Sequence, residues 1–275
     1  MRKLDEFASL GWRHPIWEIL KVYRGLSRGT RKRREWLSQL ETHHLCSFPG
    51  DEASPIQVDE EISKLLGSYI EASAEQAEEA FGRFRTEREA LAHCESIGVT
   101  VATTRTQSAD HHQSPKALVG GVTLIAADFC CGNGISIDPN PQNRCVWTHD
   151  SSMHVTSRRL DGAIPGLVNP RIIWEIKEYW GKTSGGSKMS DAVYECQLVG
   201  RELRNWEEGT GLEVCHVVFL DGLEQWKSRR SDFVRFSDLA NQGLIDQLII
   251  GGEVEEDWAK LLAAELGSIS SADTQ

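Results

Sequence analysis

Apolar residues run through Ile172, Ile173 and Trp174 and then alternate with charge at Glu175, Ile176 and Lys177. Residues two apart on a strand point to one face, so this pattern predicts a strand over 171–179. Glu175 and Lys177 share one side of it, and Trp174 and Ile176 pack on the other. A second apolar run predicts a buried strand over 212–220. Further strand-like stretches are 99–104, 119–129, 135–137, 145–147 and 154–160, with residues 131–134 read as a turn and Gly132-Asn133-Gly134 as a hairpin signal. Helical composition marks 12–45, where Trp12, Trp17 and Trp36 are packing anchors. It also marks 59–95, which is rich in Ala, Glu and Leu and lacks Pro, and 188–206. Residues 236–250 and 253–266 read as closing helices or mixed elements. Pro, Gly and Ser content makes 46–55, 106–115, 138–143 and 181–186 loops.

Strand, turn, strand, helix and apolar strand in this order predict an α/β fold: a mixed central β-sheet flanked by helices, with a helical N-terminal region. The expected division is a helical part over 1–97, for recognition or dimerisation, a core over 98–250, and a C-terminal helix and tail over 251–275. The 275 residues are enough for one generous core. No apolar run is long enough for a membrane span, and the charged first residues are not followed by a signal-peptide apolar region, which places the expectation in the cytoplasm. Seven cysteines, an odd number, suit reduced thiols.

The net charge of −11 disfavours a generic polyanion binder, but charge is unevenly spread. The first 36 residues are basic, 51–95 are strongly acidic, and 156–204 are mildly basic. A basic cleft in an acidic protein can steer a phosphate to one place.

Glu175-Ile176-Lys177 is the single acid-x-Lys triplet in the chain, and Asp161 lies fourteen residues before Glu175. Such a triplet alone can be an ordinary surface ion pair. Its position marks it: on a strand, after an Asp at hairpin distance, and before a Gly-rich loop and a helix. Mg²⁺ prefers oxygen ligands and takes only one or two protein carboxylates. Asp161 and Glu175 meet that demand, with the Ile176 carbonyl as a third protein ligand. Lys177 would orient a water and stabilise developing charge. A role as base would need a depressed pKa, which neighbouring carboxylates oppose. These groups fit phosphodiester hydrolysis.

The stretch RRLDGAIPGLVNPRIIWEIKEYWGKTSGG resembles the PD-(D/E)xK nuclease superfamily, which includes many type II restriction endonucleases; the likeness covers residues 156–220. It implies a restriction-endonuclease-like core, Asp161 as first metal acid, Glu175 as second and Lys177 as catalytic lysine, with Mg²⁺ as cofactor and Mn²⁺ as a substitute. Asp161 follows Leu160 where that motif has Pro, and Asp150 is the nearest upstream rival. The function implied is DNA endonuclease activity in restriction or anti-phage defence. The partners implied are double-stranded DNA, a second copy in a homodimer, and a cognate methyltransferase.

Other residues have both a functional and an ordinary reading. Lys182 and Lys188 could hold backbone phosphates or be solvated lysines. Glu195 and Gln197, on the following helix with Tyr194, could support the metal site or form helix surface. Arg31, Lys32, Arg33 and Arg34, with Arg28 before them, could contact DNA or be a solvated helix face. His43-His44 with Cys46, His111-His112 and Cys130-Cys131 lack zinc-site spacing. Cys130, Cys145, Cys196 and Cys215 read as core residues. The alternative functions are a catalytically silent nuclease-fold protein that binds nucleic acid or assembles with partners, and a nuclease acting on RNA or branched DNA.

Overall fold

The computed structural model describes residues 1–26, 31–48, 51–103, 114–181 and 186–267. The chain begins with helices α1 (Asp5–Ala8), α2 (Ile16–Gly25) and α3 (Arg31–His43), then a hairpin of β1 (Leu45–Phe48) and β2 (Asp51–Gln57). Helices α4 (Glu60–Phe81), α5 (Glu87–Ser96) and α6 (Ala117–Asn133) follow. A second hairpin is made by β3 (Val146–His149) and β4 (Ser152–Val155). Next come β5 (Gly162–Ile164), β6 (Ile172–Glu178), α7 (Gly186–Thr210), β7 (Cys215–Asp221), α8 (Leu223–Ser228), α9 (Arg230–Asn241), β8 (Gln247–Ile250) and α10 (Val254–Leu266).

The centre is a four-stranded sheet in the order β5-β6-β7-β8. β5 runs antiparallel to β6, with Gly162 opposite Trp174. β6 and β7 are parallel, with Glu175 opposite Val218 and Lys177 opposite Leu220, and β7 and β8 are parallel. The fold is therefore a mixed α/β one.

The two-residue period of the strands divides their side chains cleanly between the two faces. Ile172, Trp174, Val217 and Phe219 pack with α6 and α10, joined by the partly buried Ile176. Trp258 of α10 meets Trp174 and Phe219 edge to face, and its indole N–H donates to the Val122 carbonyl of α6. On the opposite face, Val218 and Leu220 join Met189, Ala192, Val193 and Cys196 of α7 and Phe233, Phe236 and Leu239 of α9. α7 can approach closely because a Cβ at Gly200 would collide with the Leu244 carbonyl.

The N-terminal helices are tied to this second face. Ala77 and Ala80 of α4 share its core. Tyr69 of α4 donates to Asp238 of α9 at 2.7 Å, and Arg24 of α2 pairs with Asp238 at 2.9 Å. Trp17 and Trp36 are buried as expected, while Trp12 is half-buried and donates to Glu208.

Several local expectations are corrected. Residues 119–129 form helix, not strand: α6 buries Leu118, Val122, Ala126 and Cys130 on one face, but Leu124, Ile125 and Phe129 make its half-buried sides apolar too, so the sequence shows no one-sided stripe. Gly132-Asn133-Gly134 ends this helix rather than making a hairpin. Gly134 sits at φ 67°, and the Ile135 amide donates back to the Cys130 carbonyl at 2.9 Å. Residues 135–137 form no strand; Asp138 instead makes a single bridge to Ala163. Residues 46–55 are not a loop throughout but contribute to the β1–β2 hairpin. The helix expected over 59–95 breaks between α4 and α5, where Thr86 and Glu89 form a reciprocal cap that starts α5. Of the strand expected over 99–104, Thr103 makes one bridge to Pro115, and Thr104 lies outside the described residues.

Candidate active site

Glu175 and Lys177 project from β6 toward α7, on the face away from Trp174. Glu175 is wholly buried and Lys177 nearly so, a costly placement unless charges are paired. Lys177 Nζ donates to Glu175 Oε2 at 2.9 Å and to Glu195 Oε2 of α7 at 3.0 Å. Arg158, in the segment between β4 and β5, reaches the same place. Its guanidinium donates to Glu175 Oε2 through a very close contact and lies 3.0 Å from Glu195 Oε2. Two carboxylates and two cations thus form a closed ring.

Asp161 joins the ring from the end of β5. Its amide donates to the Trp174 carbonyl at 3.0 Å, and its Oδ2 accepts from the Ile176 amide at 2.7 Å. Asp161 lies one residue beyond the Gly162–Trp174 pair, directly across from Glu175. The Ile176 N–H faces the β5 edge, and a strand residue's carbonyl projects to the same edge as its N–H. The Ile176 carbonyl therefore points out past the end of β5, beside the Asp161 carboxyl.

Beneath the ring lies His216 of β7, fully buried. Its Nδ1 is 3.0 Å from the Leu244 carbonyl, which can only accept, so Nδ1 carries the proton. Its Nε2 faces Glu175 Oε1 at 3.7 Å, too long for a formed hydrogen bond. Both of these atoms are buried without a hydrogen-bond partner.

The charges shift one another in clear directions. Burial alone would raise the Glu175 pKa, but Lys177 first, and Arg158 with it, more than reverse this and hold it below the usual carboxylate range. Burial alone would lower the Lys177 pKa, but Glu175 overturns that and keeps the ammonium protonated. Lys177 is thus a hydrogen-bond donor and a fixed positive charge in this arrangement. Partial burial of its carboxyl pushes the Asp161 pKa up against the Ile176 amide and Lys177. Asp161 remains exposed as a residue, so solvent limits that rise. Burial raises the Cys196 thiol well above its ordinary range, so Cys196 is an inert wall beside Glu175.

The other expected residues divide. Glu195 sits on Lys177 and Arg158. Gln197 lines the groove between α2 and α7 with Trp17, Arg24 and Asp238, not the charged ring. Lys188 is exposed on α7, and Lys182, Arg28, His111 and His112 lie outside the described residues. Arg31 pairs with Glu35 on an exposed face, and Arg33 stacks on the Tyr23 ring and donates to its carbonyl; Arg34 is exposed, as is Lys32, which has a partner. Asp150 is at the exposed turn of the β3–β4 hairpin. Arg158 and His216 were not foreseen. Arg158 is one of two adjacent arginines, and His216 stands in an apolar strand, so neither has a sequence signal beyond its type.

Among the described residues, no three His, Cys, Asp or Glu side chains are grouped as metal ligands. A Mg²⁺ ion here would rest on the Asp161 and Glu175 carboxylates and the Ile176 carbonyl, with water completing its shell. The unpartnered Glu175 Oε1 and the surplus of acid over base in the ring fit that donor set.

Residues 72–265 match the model of a family described as Domain of unknown function (DUF7687). The chain belongs to that family. The matched segment begins inside α4 and ends inside α10, so it holds the whole four-stranded sheet, its covering helices and every residue of the ring. The α1–α3 helices and the β1–β2 hairpin precede it. No curated protein and no solved structure matches the chain.

Proposed function

We propose that this DUF7687 protein is a Mg²⁺-dependent DNA endonuclease with a restriction-endonuclease-like core. The observation that carries the reading is the meeting of Asp161 with Glu175, Ile176 and Lys177 at the β5–β6 edge, tied by the 2.7 Å bond from the Ile176 amide to Asp161. The motif is thus joined in space as well as spaced in sequence.

In this reading Asp161 and Glu175 hold the cation, with the Ile176 carbonyl between them. The cation, when bound, polarises the scissile phosphate and acidifies a water. Lys177, kept protonated by Glu175, donates to the attacking water or to a phosphate oxygen and stabilises charge as it develops. Glu195 fixes the Lys177 ammonium from the other side. His216 closes the floor and excludes bulk water from Glu175.

Double-stranded DNA is the proposed substrate, restriction or anti-phage defence the proposed setting, and a homodimer the form that would cut both strands of a two-fold site. A methyltransferase partner belongs to the same proposal, as does a cytoplasmic location. No helix among the described residues is long and apolar enough to cross a membrane.

A second reading is a nuclease-fold protein without activity. It is favoured by one observation: Glu175 is already neutralised by Lys177 and Arg158. Plasmid cleavage separates the two. Purified protein with Mg²⁺, with Mn²⁺ and with EDTA is compared with Asp161→Ala and Lys177→Ala. Metal-dependent fragments lost in both variants support the nuclease. Gel-shift binding with no cleavage of duplex, single-stranded DNA or RNA overturns it and leaves the binding protein.

A further inference from the structure

Arg158 occupies a carboxylate oxygen of Glu175, a residue that a divalent cation at this edge would need. Its guanidinium lies between Glu175 and Glu195, touching the same Glu175 Oε2 that Lys177 touches. Lys177 cannot leave, because it is buried beneath α7 and held by two carboxylates. Arg158 can. Its side chain is 32% exposed, and it comes from the connection between β4 and β5 rather than from the sheet. Three carboxylates (Asp161, Glu175 and Glu195) face the two cations Lys177 and Arg158. With Arg158 in place the cluster carries one formal negative charge; with a divalent cation added and Arg158 still in place it would be over-neutralised. With the cation in and Arg158 out, charge balances.

We propose that Arg158 is an exchangeable counter-ion: it fills the cation site when the site is empty, and on metal entry it swings out to hold a phosphate of the nucleic-acid backbone. The proposal rests on the nuclease reading above and deepens it by adding a phosphate ligand for the same site. The chemistry suits the residue. A guanidinium binds carboxylate and phosphate with the same planar fork of donors, so it can move from one to the other without loss of hydrogen bonding. Lys177, a point charge fixed underneath, lacks that freedom. The exchange also orders events: a site closed by Arg158 disfavours metal, and backbone phosphate, by drawing Arg158 away, favours it. Metal and DNA therefore bind with positive coupling, which must be reciprocal.

The test measures metal binding and DNA binding separately. Mn²⁺ is titrated calorimetrically into wild type, Arg158→Gln, Arg158→Lys and Glu175→Gln, without DNA. A fluorescent duplex is then titrated by anisotropy in Ca²⁺, a cation that commonly supports binding without turnover. The expected result is opposite signs: Arg158→Gln binds Mn²⁺ about tenfold more tightly and the duplex about tenfold more weakly than wild type. Arg158→Lys, which keeps the charge, stays near wild type for Mn²⁺ but loses duplex affinity through the lost fork. Glu175→Gln loses Mn²⁺ binding. If Arg158→Gln and wild type bind Mn²⁺ equally while Glu175→Gln does not bind, the exchange is overturned and the metal site stands. If Arg158→Gln weakens both ligands, Arg158 is a structural brace and the exchange is overturned. If no protein binds Mn²⁺, the nuclease reading falls and the exchange falls with it.

Discussion

Asp161 and Ile176 are joined by one hydrogen bond, from the Ile176 amide to Asp161 Oδ2. This bond crosses from the end of β5 to the strand that bears Glu175 and Lys177, and it aims the exposed Asp161 carboxyl at the buried part of the site. Asp161→Asn keeps an oxygen able to accept from that amide but removes the charge. Cleavage is expected to fall at least about a hundredfold, with the melting temperature within about 2 °C of wild type. A large drop in melting temperature by differential scanning fluorimetry would make Asp161 a structural residue instead.

Glu175 and Lys177 are a buried pair, so breaking it from one side leaves the other charge stranded. Lys177→Ala is expected to destabilise the fold by about 3–5 kcal/mol. The double change Glu175→Gln with Lys177→Met is expected to cost clearly less, because no charge is left behind. Chemical denaturation of the two variants checks this order.

The pH dependence of that pair has a definite sign. Glu175 has a folded pKa below its unfolded value of about 4.5. Its contribution to stability is present above that value and lost as pH falls toward the depressed folded pKa. Acid unfolding between about pH 4.5 and pH 2 should therefore be less steep in Glu175→Gln than in wild type. Melting curves across that range would show equal steepness if the pair contributes nothing.

Glu178 behaves in the opposite way. It lies at the end of β6, where its carboxyl accepts from the Leu118 amide at 2.9 Å and the Trp180 indole at 3.0 Å. Burial pushes its pKa up to about 7 despite those donors. The folded state thus favours the neutral form, and stability declines as pH rises from 4.5 to 7. Glu178→Gln keeps an acceptor for both donors and cannot ionise, so it is expected to be the more stable protein at pH 8 by about 1–2 kcal/mol and to lose the slope below pH 7. Melting temperatures of the two proteins from pH 4.5 to 8 decide.

Gly162 is the first residue of β5 and the neighbour of Asp161. A Cβ there would overlap the indole of Trp174, its partner across the strands. Gly162→Ala is expected to cost about 1–3 kcal/mol of stability and to displace the adjacent Asp161, so that cleavage falls too. An unchanged melting temperature would mean that the indole has room to move.

The parts of this fold that could be read from sequence are those whose period is visible. β6 shows it because Glu175 and Lys177 interrupt apolar residues at alternate places, and Trp174 and Ile176 do pack on the other face. β7 shows it as a short apolar run between polar residues. α6 does not, because Leu124, Ile125 and Phe129 on its half-buried sides are as apolar as the buried Leu118, Val122, Ala126 and Cys130 and hide that stripe. The site followed the same rule. Asp161, Glu175 and Lys177 could be placed by spacing along one hairpin. Glu195 was reached through the expected helix, but Gln197, two residues on, turns out toward α2. Arg158 and His216 depend on contacts between segments, and no local pattern encodes those.

Glu175 stands on β6, Glu195 on the helix that follows, and His216 on β7, so one strand–helix–strand crossover supplies the deep half of the site. Before that crossover closes, Glu175 and Lys177 are hydrated neighbours on an unpaired strand, with nothing to desolvate them. The ionic cluster is thus complete only when α7 lies on the sheet. A folding intermediate in which only the α2–α4 helices have assembled contains none of it, and recovery of the cluster's chemistry on refolding would report closure of this crossover more directly than recovery of helix content.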